Sequence, residues 1–388
     1  MPNLSLHDAL PIFDTLMTGF IEKHRVPGAA LAVLNEGRLV YARGYGYADT
    51  GTREPVSPTS LFRIASISKP ITAVAIMKLV EDGKLTLDDK VFDILEFDPF
   101  VEREDDDIDK RQREITIRQL LQHRGGWDRN TSFDPMFRAL PIAKALGREP
   151  PATAAMVIRY MSGKPLDFAP GERYSYSNYG YNLLGRIIEK VTGQNYEAHV
   201  KDAVLAPLGI QSMRIGRTMP AGRVENEVRY YHPTHGTSIF APNTGAQVPH
   251  PYGAWHLEAM DSHGGWIASA TDLAKFAAAF AKPENNPVLS AESIGALFAP
   301  PAGEEGKRAY ACGWSVRPAG GSQNRWHSGS LPGTATLLVL RHDQKSWLVL
   351  FNSRAGPEDA HLTGEIDPLL HRAANAVVEW PLENLFDD

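Results

Sequence analysis

Cysteine is almost absent from this chain, which contains a single one, Cys312, among 388 residues. One cysteine excludes an intramolecular disulfide. Without a histidine nearby in the sequence it is also a poor thiol nucleophile, so we expect Cys312 to be a buried strand residue. The chain lacks an H-E-x-x-H motif and any cysteine cluster. We therefore expect no metal and no other cofactor.

An excess of positive charge is also missing. Forty lysines and arginines stand against 46 aspartates and glutamates, and no basic stripe occurs, so nucleic acid is not an expected partner. The densest charge cluster, "EREDDDIDKRQRE" at 102–114, mixes both signs and has no aromatic residue. Such a mixture predicts a solvated loop rather than a binding site.

Long apolar runs are absent as well. No stretch is long enough to span a bilayer, so a membrane is not an expected partner. The N-terminal sequence "MPNLSLHDALPIFDTL" has no basic region before its apolar part and is interrupted by His7 and Asp8. It does not resemble a signal peptide, and we expect a cytoplasmic location.

Apolar strand patterns are present near both ends of the chain. "GAALAVLNEGRLVYARGYGYA" at 28–48 predicts a hairpin with its turn at 35–37. Further strands are predicted at 309–316, 334–342 and 346–353. Between the two groups lie helical patterns at 71–82, from 116, at 152–162 and up to Gly193.

These patterns predict an α+β fold, with an antiparallel sheet flanked by helices plus a mainly helical region. We divide the chain into a sheet domain, 1–80 with 260–388, and a helical domain, 81–259. The segment from about 215 to 262 is rich in glycine, proline and aromatic residues without a period, and is expected to wall a cleft. The chain has neither a G-x-S-x-G motif nor regular βα alternation, which argues against an α/β-hydrolase.

The stretch "RIASISKPIT" places Ser66 three residues before Lys69, so both project from one face of a helical turn. Pro70 is tolerated only in a first turn, which sets the helix start close to Ser66. The run after it is apolar all round and predicts a buried helix. Ser66 is then a candidate nucleophile activated by Lys69. The alternative is a simple N-cap followed by an exposed lysine.

"YSYSNYGYNLLG" sets Tyr176 and Asn178 at the junction of a loop and a helix. A phenol there acts as a general base if a nearby ammonium lowers its pKa. A packing tyrosine beside a helix cap is the alternative.

"RWHSGSLPG" offers His327 and Gly329 on a late strand. Glycine permits close approach of a ligand. The backbone N–H groups of Ser330 and Ser66 would together form an oxyanion hole. An ordinary strand histidine is the alternative for His327.

In this order, S-x-x-K, Y-x-N and H-x-G resemble the serine β-lactamase and penicillin-binding-protein superfamily over nearly the whole chain. "LFRIASISKPITAVAIMKLVEDGKLTLDDKV" in particular is similar to the branch of class C β-lactamases, family VIII carboxylesterases and D-aminopeptidases. The H-x-G departs from the more familiar K-T-G of the third motif.

The resemblance implies a role for each motif residue. Ser66 would be the acylated nucleophile, Lys69 would hold its proton network, and Tyr176 would act as base and then acid. Asn178 would orient the substrate. His327 would stand where the third motif has lysine, beside Gly329 and the oxyanion-hole residue Ser330.

Fold and nucleophile leave the substrate open. A small-molecule ester is the expected partner and a short-chain carboxylesterase the expected function. A class C-type β-lactamase or a D-amino-acid peptidase is the alternative, and a non-catalytic binding protein of the same fold is a remote one. Because histidine is mostly neutral at pH 7, we expect His327 to favour neutral esters over anionic β-lactams, and His327→Lys to shift this ratio toward the β-lactam.

Overall fold

The structure is a computed structural model and describes residues 10–96 and 109–387. Residues 1–9, on which part of the signal-peptide interpretation rests, and residues 102–108 of the charge cluster lie outside these ranges. The described end of the cluster contains a 3₁₀ helix at Lys110–Glu114. Among the described residues no helix combines the length and apolar character needed to cross a membrane.

Most strands of the described chain belong to one sheet. The strands are β1 (Gly28–Asn35), β2 (Arg38–Asp49), β3 (Glu54–Pro55), β4 (Phe62–Arg63), β5 (Arg214–Ile215), β6 (His235–Thr237), β7 (Gln247–Pro249), β8 (Trp266–Ala268), β9 (Ala309–Tyr310), β10 (Ser315–Ala319), β11 (Ser322–Leu331), β12 (Thr334–Leu340) and β13 (Lys345–Phe351). Eight of them pair antiparallel in the order β3-β2-β1-β13-β12-β11-β10-β9. The first and last parts of the chain therefore meet in this sheet.

Helices cover both faces of the sheet. They are α1 (Pro11–His24), α2 (Ser68–Glu81), α3 (Val91–Leu95), α4 (Ile117–Leu121), α5 (Ala139–Ala145), α6 (Ala154–Ser162), α7 (Asn178–Thr192), α8 (Tyr196–Val200), α9 (Asp261–Gly264), α10 (Ala270–Ala278), α11 (Ala291–Phe298) and α12 (Leu362–Ala376). Strand side chains alternate between two apolar clusters, with Leu31 and Val33 packed toward α1 and α12, and Ala32 and Leu34 toward α2 and α10. The α+β fold with an antiparallel sheet between helices is confirmed.

Local signals placed most elements correctly. The hairpin of β1 and β2 turns at Glu36 and Gly37, both with positive φ, as a tight hairpin turn requires. The helix predicted from residue 116 is α4, where Thr116 and Gln119 form a capping box. Gly193 ends α7 in the left-handed conformation. Each of these predictions is confirmed.

The prediction for Cys312 is half right. Its side chain is buried, but it lies in the turn between β9 and β10 rather than in a strand. Gly313, which follows it with a φ of 82°, bends the chain at this point. The strand pattern around Cys312 thus conceals a turn between two short strands.

The long segment 215–262 has little regular structure. It contains the end of β5, short 3₁₀ helices at Pro220–Gly222 and Glu258–Met260, the small β6–β7 hairpin and the start of α9. Arg63 fastens it to the rest of the protein. Its guanidinium donates hydrogen bonds to the carbonyl oxygens of Pro251 and Arg217, each at 2.8 Å, and lies 4.2 Å from the centre of the Tyr230 ring. Because Arg63 precedes Ser66 by three residues, this contact ties the segment to the chain that carries the serine. The division at 80 and 260 into two domains stays a prediction.

Candidate active site

Ser66 lies in a short 3₁₀ turn, Ala65–Ile67, that leads into α2. The turn is held on the sheet by β12, because the Thr336 hydroxyl donates to the Ile64 carbonyl at 2.9 Å. Ala65 has a φ of 49°, a left-handed conformation that costs a non-glycine residue energy and often marks a functional site. The Ser66 side chain makes no capping bond and is half-buried at a cavity wall. The N-cap alternative is therefore wrong.

Lys69 is completely buried. Its Nζ lies 3.2 Å from Ser66 Oγ, 2.8 Å from Asn178 Oδ1 and 2.8 Å from the carbonyl oxygen of His263. Burial holds the Lys69 pKa well below its ordinary value, and nearby Asp134 opposes this shift. The exposed-lysine alternative is wrong, and Lys69 is in direct contact with the candidate nucleophile.

Asn178 is the first residue of α7 and connects Lys69 to an acid that the sequence reasoning missed. Its Nδ2 donates to Asp134 Oδ2 at 2.6 Å while its Oδ1 accepts from Lys69. Asp134 is half-buried at the cavity wall, and its removal from water raises its pKa above the ordinary value. Asp134 lies 44 positions from Asn178 in sequence and caps a separate 3₁₀ helix, so no local signal links the two.

Tyr176 stands two residues before α7, whose N-cap is Ser177. The Ser66 hydroxyl acts to lower the pKa of its phenol, and its ring centre lies 4.8 Å from Lys69 Nζ and 5.0 Å from the Arg129 guanidinium carbon. Burial nevertheless raises the Tyr176 pKa, so the phenol is protonated in the resting protein. A tyrosine that acts as a base requires a lowered pKa, whereas the pKa of Tyr176 is raised.

His327 is 5% exposed and does not line the cavity beside Ser66. Its Nδ1 donates to the Ser328 carbonyl at 2.7 Å, which leaves Nε2 to accept from the Tyr310 hydroxyl at 2.9 Å. Burial lowers the His327 pKa to about 3, so the ring is neutral. In this structure the outer nitrogen of His327 is bonded to Tyr310 inside the protein, and the role of His327 in substrate binding stays a prediction.

At position 329 the close packing of the surrounding chain leaves room for glycine only. A Cβ at this position would lie 2.3 Å from the carbonyl oxygen of Ile64 and 2.3 Å from Thr336 Oγ1. Any side chain would therefore push away the turn that carries Ser66. Next to it, Ser330 is exposed and lines the same cavity as Ser66. The oxyanion hole formed by their N–H groups stays a prediction.

The cavity beside Ser66 has a volume of about 400 Å³. His250 and Met260 line it from the segment 215–262, which confirms that this segment walls a cleft. A second cavity of about 560 Å³ shares Ser330 and Arg354 with the first. The cavity beside Ser66 is lined by Ala65, Ser66, Arg129, Asn130, Asp134, Phe137, Tyr176, Asn178, His250, Met260, His263, Gly264, Ser330, Leu331, Pro332 and Arg354.

His123 is a further residue that the sequence reasoning missed. Its ring centre lies 4.3 Å from that of Tyr176 and 4.4 Å from that of Tyr310, and its Nδ1 accepts the backbone N–H of Ser177 at 3.2 Å. It has a φ of 56°, which non-glycine residues rarely adopt. His123 thus supports both the ring of Tyr176 and the start of α7.

Comparison with known proteins gives the same picture. The family described as Beta-lactamase matches residues 13–370. The chain is 27% identical to penicillin-binding protein 4* of Bacillus subtilis over 346 residues, which is 88% of this chain and 71% of the relative. A solved octameric penicillin-binding protein homologue from Pyrococcus abyssi superposes with a TM-score of 0.69 at 27% identity, covering 92% of this chain and 76% of that one.

A D-amino acid amidase from Ochrobactrum anthropi superposes with a TM-score of 0.69 at 23% identity, covering 94% of this chain and 99% of that one. This similarity shows a shared fold. The family match over nearly the whole chain agrees with the antiparallel sheet and with the position of Ser66 in the turn before α2 and of Lys69 in its first turn. The chain belongs to the beta-lactamase family, within the serine hydrolases of the β-lactamase and penicillin-binding-protein superfamily.

Proposed function

We propose that this serine hydrolase forms an acyl-enzyme on Ser66 and hydrolyses short-chain carboxylic esters. The observation that carries the proposal is the contact of a completely buried amine, Lys69, with the Ser66 hydroxyl at 3.2 Å. Serine is a weak nucleophile unless a neighbouring group takes its proton, and a buried lysine with a lowered pKa is such a group.

Lys69 is the better candidate for the base in acylation. Two of its hydrogen bonds run to fixed acceptors, Asn178 Oδ1 and the His263 carbonyl, each at 2.8 Å. A neutral amine uses its two N–H groups in these bonds and directs its lone pair at Ser66. As Ser66 Oγ bonds to the substrate carbonyl carbon, its proton passes to Lys69 and the carbonyl oxygen becomes an oxyanion.

Tyr176 then acts on the leaving group. Because burial keeps its phenol protonated, Tyr176 donates its proton to the departing alkoxide as the ester C–O bond breaks. The Lys69 ammonium, which lies 4.8 Å from the Tyr176 ring centre, then returns a proton to the phenolate, so that both groups regain their starting protonation states. Water attacks the acyl-enzyme by the same steps in reverse, which releases the acid and restores Ser66. The N–H groups of Ser66 and Ser330 are the proposed donors to the oxyanion.

Hydrolysis of amides is the second candidate. The relatives named a penicillin-binding protein and a D-amino acid amidase support a β-lactam or a D-amino-acid amide as the alternative substrate. The non-catalytic alternative is disfavoured, because a binding protein has no use for a buried lysine in contact with an accessible serine.

A labelling experiment with a turnover panel tests the proposal. A fluorophosphonate probe is expected to label the protein and to lose this label in Ser66→Ala. Ser68→Ala is the matched control, since Ser68 lies in the same segment but is completely buried and is expected to leave the label in place. Turnover is compared on p-nitrophenyl butyrate, a chromogenic cephalosporin and a D-alanyl amide. Ser66→Ala is expected to lower kcat on the order of 10⁶-fold.

Unchanged turnover in Ser66→Ala would contradict the proposal that Ser66 is the nucleophile. A higher kcat/KM for the cephalosporin or the amide than for the ester would keep the mechanism and replace the esterase by the alternative.

A further inference from the structure

His123 occupies a position at which helices usually have glycine. It follows α4 and its C-cap Gln122, and it has a left-handed φ of 56°. Its N–H donates to the Leu120 carbonyl at 3.1 Å, and the N–H of Arg124 donates to the Gln119 carbonyl at 2.7 Å, which is the hydrogen-bond pattern of a Schellman motif. Glycine would end the helix in this way without the strain that a side chain brings. The local sequence therefore does not explain a histidine here.

Two hydrogen bonds of His123 hold the chain on either side of Tyr176. Its carbonyl accepts the backbone N–H of Ser175 at 2.9 Å, and its Nδ1 accepts the backbone N–H of Ser177 at 3.2 Å. Between these two bonds the centre of its ring lies 4.3 Å from the centre of the Tyr176 ring. One residue thus fixes the backbone before Tyr176, the backbone after it and the ring itself.

The imidazole of His123 is buried and neutral. Burial, followed by the charge of Lys69, holds the pKa of His123 well below its ordinary value. Because Nδ1 accepts the N–H of Ser177, the proton of the ring is on Nε2. In the part of the chain that the structure describes, Nε2 has no hydrogen-bond partner. A strained backbone and an unpaired buried N–H both cost stability, and such costs are expected where a residue serves a functional site.

We propose that His123 is a positioning residue for proton donation, which holds the Tyr176 phenol where it can protonate the leaving group. The inference rests on the proposed function, in which the phenol gives its O–H proton to the departing alkoxide as the ester C–O bond breaks. His123 does not line the cavity beside Ser66, so it acts through Tyr176. A proton donor must lie within hydrogen-bond reach of its acceptor, and a displacement of about 1 Å can cost on the order of 10²-fold in rate.

The basicity of the leaving group separates this positioning role from a merely structural one. The weakly basic p-nitrophenolate leaves with little need of a proton, whereas ethoxide requires one. The test compares kcat/KM for p-nitrophenyl butyrate and ethyl butyrate, which form the same acyl-enzyme. These kcat/KM values report only the steps up to the release of the alcohol. Their ratio, measured on one preparation, does not depend on the fraction of the protein that is folded.

Two variants remove different contacts of His123. His123→Asn removes the ring and suits the left-handed conformation, in which asparagine is enriched. His123→Phe keeps a ring beside Tyr176 but removes the acceptor of the Ser177 N–H. His24→Asn is the matched control, because His24 is also buried and its ring centre also lies 4.3 Å from an aromatic ring, that of Phe20. His24 lies on α1, on the other side of the sheet.

The ratio of kcat/KM for p-nitrophenyl butyrate to that for ethyl butyrate is expected to rise by about ten- to a hundredfold in the two His123 variants. In His24→Asn it is expected to stay unchanged. In Tyr176→Phe, which lacks the proton donor, the ratio is expected to rise by roughly 10²–10⁴. Adding His123→Phe to Tyr176→Phe is expected to raise it no further, because the histidine acts through the phenol. A rise in one His123 variant alone would support the inference and identify the contact that holds the phenol.

The inference and the proposed function fail in different ways. An unchanged ratio in both His123 variants, together with a raised ratio in Tyr176→Phe, would overturn the inference and leave the proposed mechanism intact. An equal rise in His24→Asn, or a further rise in the double variant, would overturn it as well. An unchanged ratio in Tyr176→Phe would instead reject Tyr176 as the proton donor, and the inference with it.

Discussion

The pKa of Lys69 depends on charged residues with which it makes no direct contact. Its short contacts within the described chain are to a hydroxyl, an amide and a carbonyl oxygen. Asp134 reaches it through Asn178 and raises its pKa, whereas Arg129 lowers it. Since Lys69 is buried, these charges are weakly screened. The pH at which Lys69, the proposed base, becomes neutral is therefore expected to change when either Asp134 or Arg129 is replaced.

Two substitutions are expected to move the pH profile in opposite directions. In the proposed mechanism kcat/KM rises with pH as Lys69 loses its proton. Asp134→Asn removes the charge that favours the ammonium, so the acid limb of the profile moves to lower pH. Arg129→Gln removes the opposing charge, so the limb moves to higher pH. Profiles measured with p-nitrophenyl butyrate test this, and shifts in the same direction would contradict the assignment of Lys69 as base.

Tyr176→Phe separates proton donation from packing. The substitution removes one hydroxyl and keeps the ring against His123, so kcat is expected to fall by roughly 10²–10⁴ while the melting temperature stays nearly unchanged. Tyr174→Phe is the control, since the neighbouring Tyr174 is 45% exposed and lies outside the Ser66 cavity. A Tyr176→Phe protein with normal kcat would leave Lys69 to serve the leaving group.

Among the secondary-structure elements, the contact between β11 and the Ser66 turn decides where the nucleophile lies. Gly329 lets the turn approach β11, and hydroxyls of β12 hold it there, with Thr334 donating to the Arg63 carbonyl at 2.8 Å. Beyond Trp326, β11 pairs only with β12 among the described strands, because β10 begins at Ser315, opposite Trp326. Ser330 therefore lies on a strand with one edge unpaired, beside the turn that carries Ser66.

Gly329→Ala is expected to disturb this contact. Its Cβ would meet backbone and the Thr336 side chain, so we expect the free energy of unfolding to fall by about 1–3 kcal/mol and kcat to fall with it. Gly295→Ala is the control, because Gly295 is exposed on α11 and the added carbon would meet no atom within 4 Å outside the nearby helix backbone. It is expected to stabilise the protein by about 0.5–1 kcal/mol. Urea denaturation measures both, and a neutral Gly329→Ala would contradict the close approach.

For the molecule as a whole, buried neutral histidines link stability to pH. Burial lowers the pKa of His123, His263 and His327 below the ordinary value of 6.5, and for His327 to about 3. Between pH 6.5 and 3 the unfolded chain holds a proton on His327 that the folded protein does not, and the lowered pKa values of His123 and His263 act in the same direction. Folding stability from these groups is therefore present above about pH 6.5 and is lost as the pH falls toward 3.

His327→Gln is expected to weaken this dependence. The variant removes one of the groups that must lose a proton to fold, so its free energy of unfolding changes less steeply between pH 6.5 and 3, by up to about 1.4 kcal/mol per pH unit. Urea denaturation at several pH values measures the slope. His235→Gln is the control, since His235 is exposed and its replacement is expected to leave the slope unchanged. Equal slopes for the His327 and His235 variants would contradict a neutral, buried His327.

Features that depend on near neighbours in the chain were predictable. Apolar runs joined by a turn located β1 and β2, Thr116 located the start of α4 and Gly193 the end of α7, because these signals act within a few residues. The same locality places Ser66 and Lys69 on one helical turn. Cys312 was predicted to lie in a strand but lies in a turn. The residues around it have a strand-like pattern, and packing rather than this local pattern places the turn there.

The sequence by itself determined the type of most elements, the pairing of Ser66 with Lys69 and the family. Tertiary structure alone decided what surrounds this pair. Lys69 bonds to Asn178, which is 109 positions away in the sequence, and to the His263 carbonyl, which is 194 positions away. Both contacts depend on how α2, α7 and α9 pack. Packing also turns His327 toward Tyr310 and leaves Arg129 and Arg354 facing the cavity. Burial and long-range contact fix these orientations and the pKa of each group, and a local residue pattern carries no information on either.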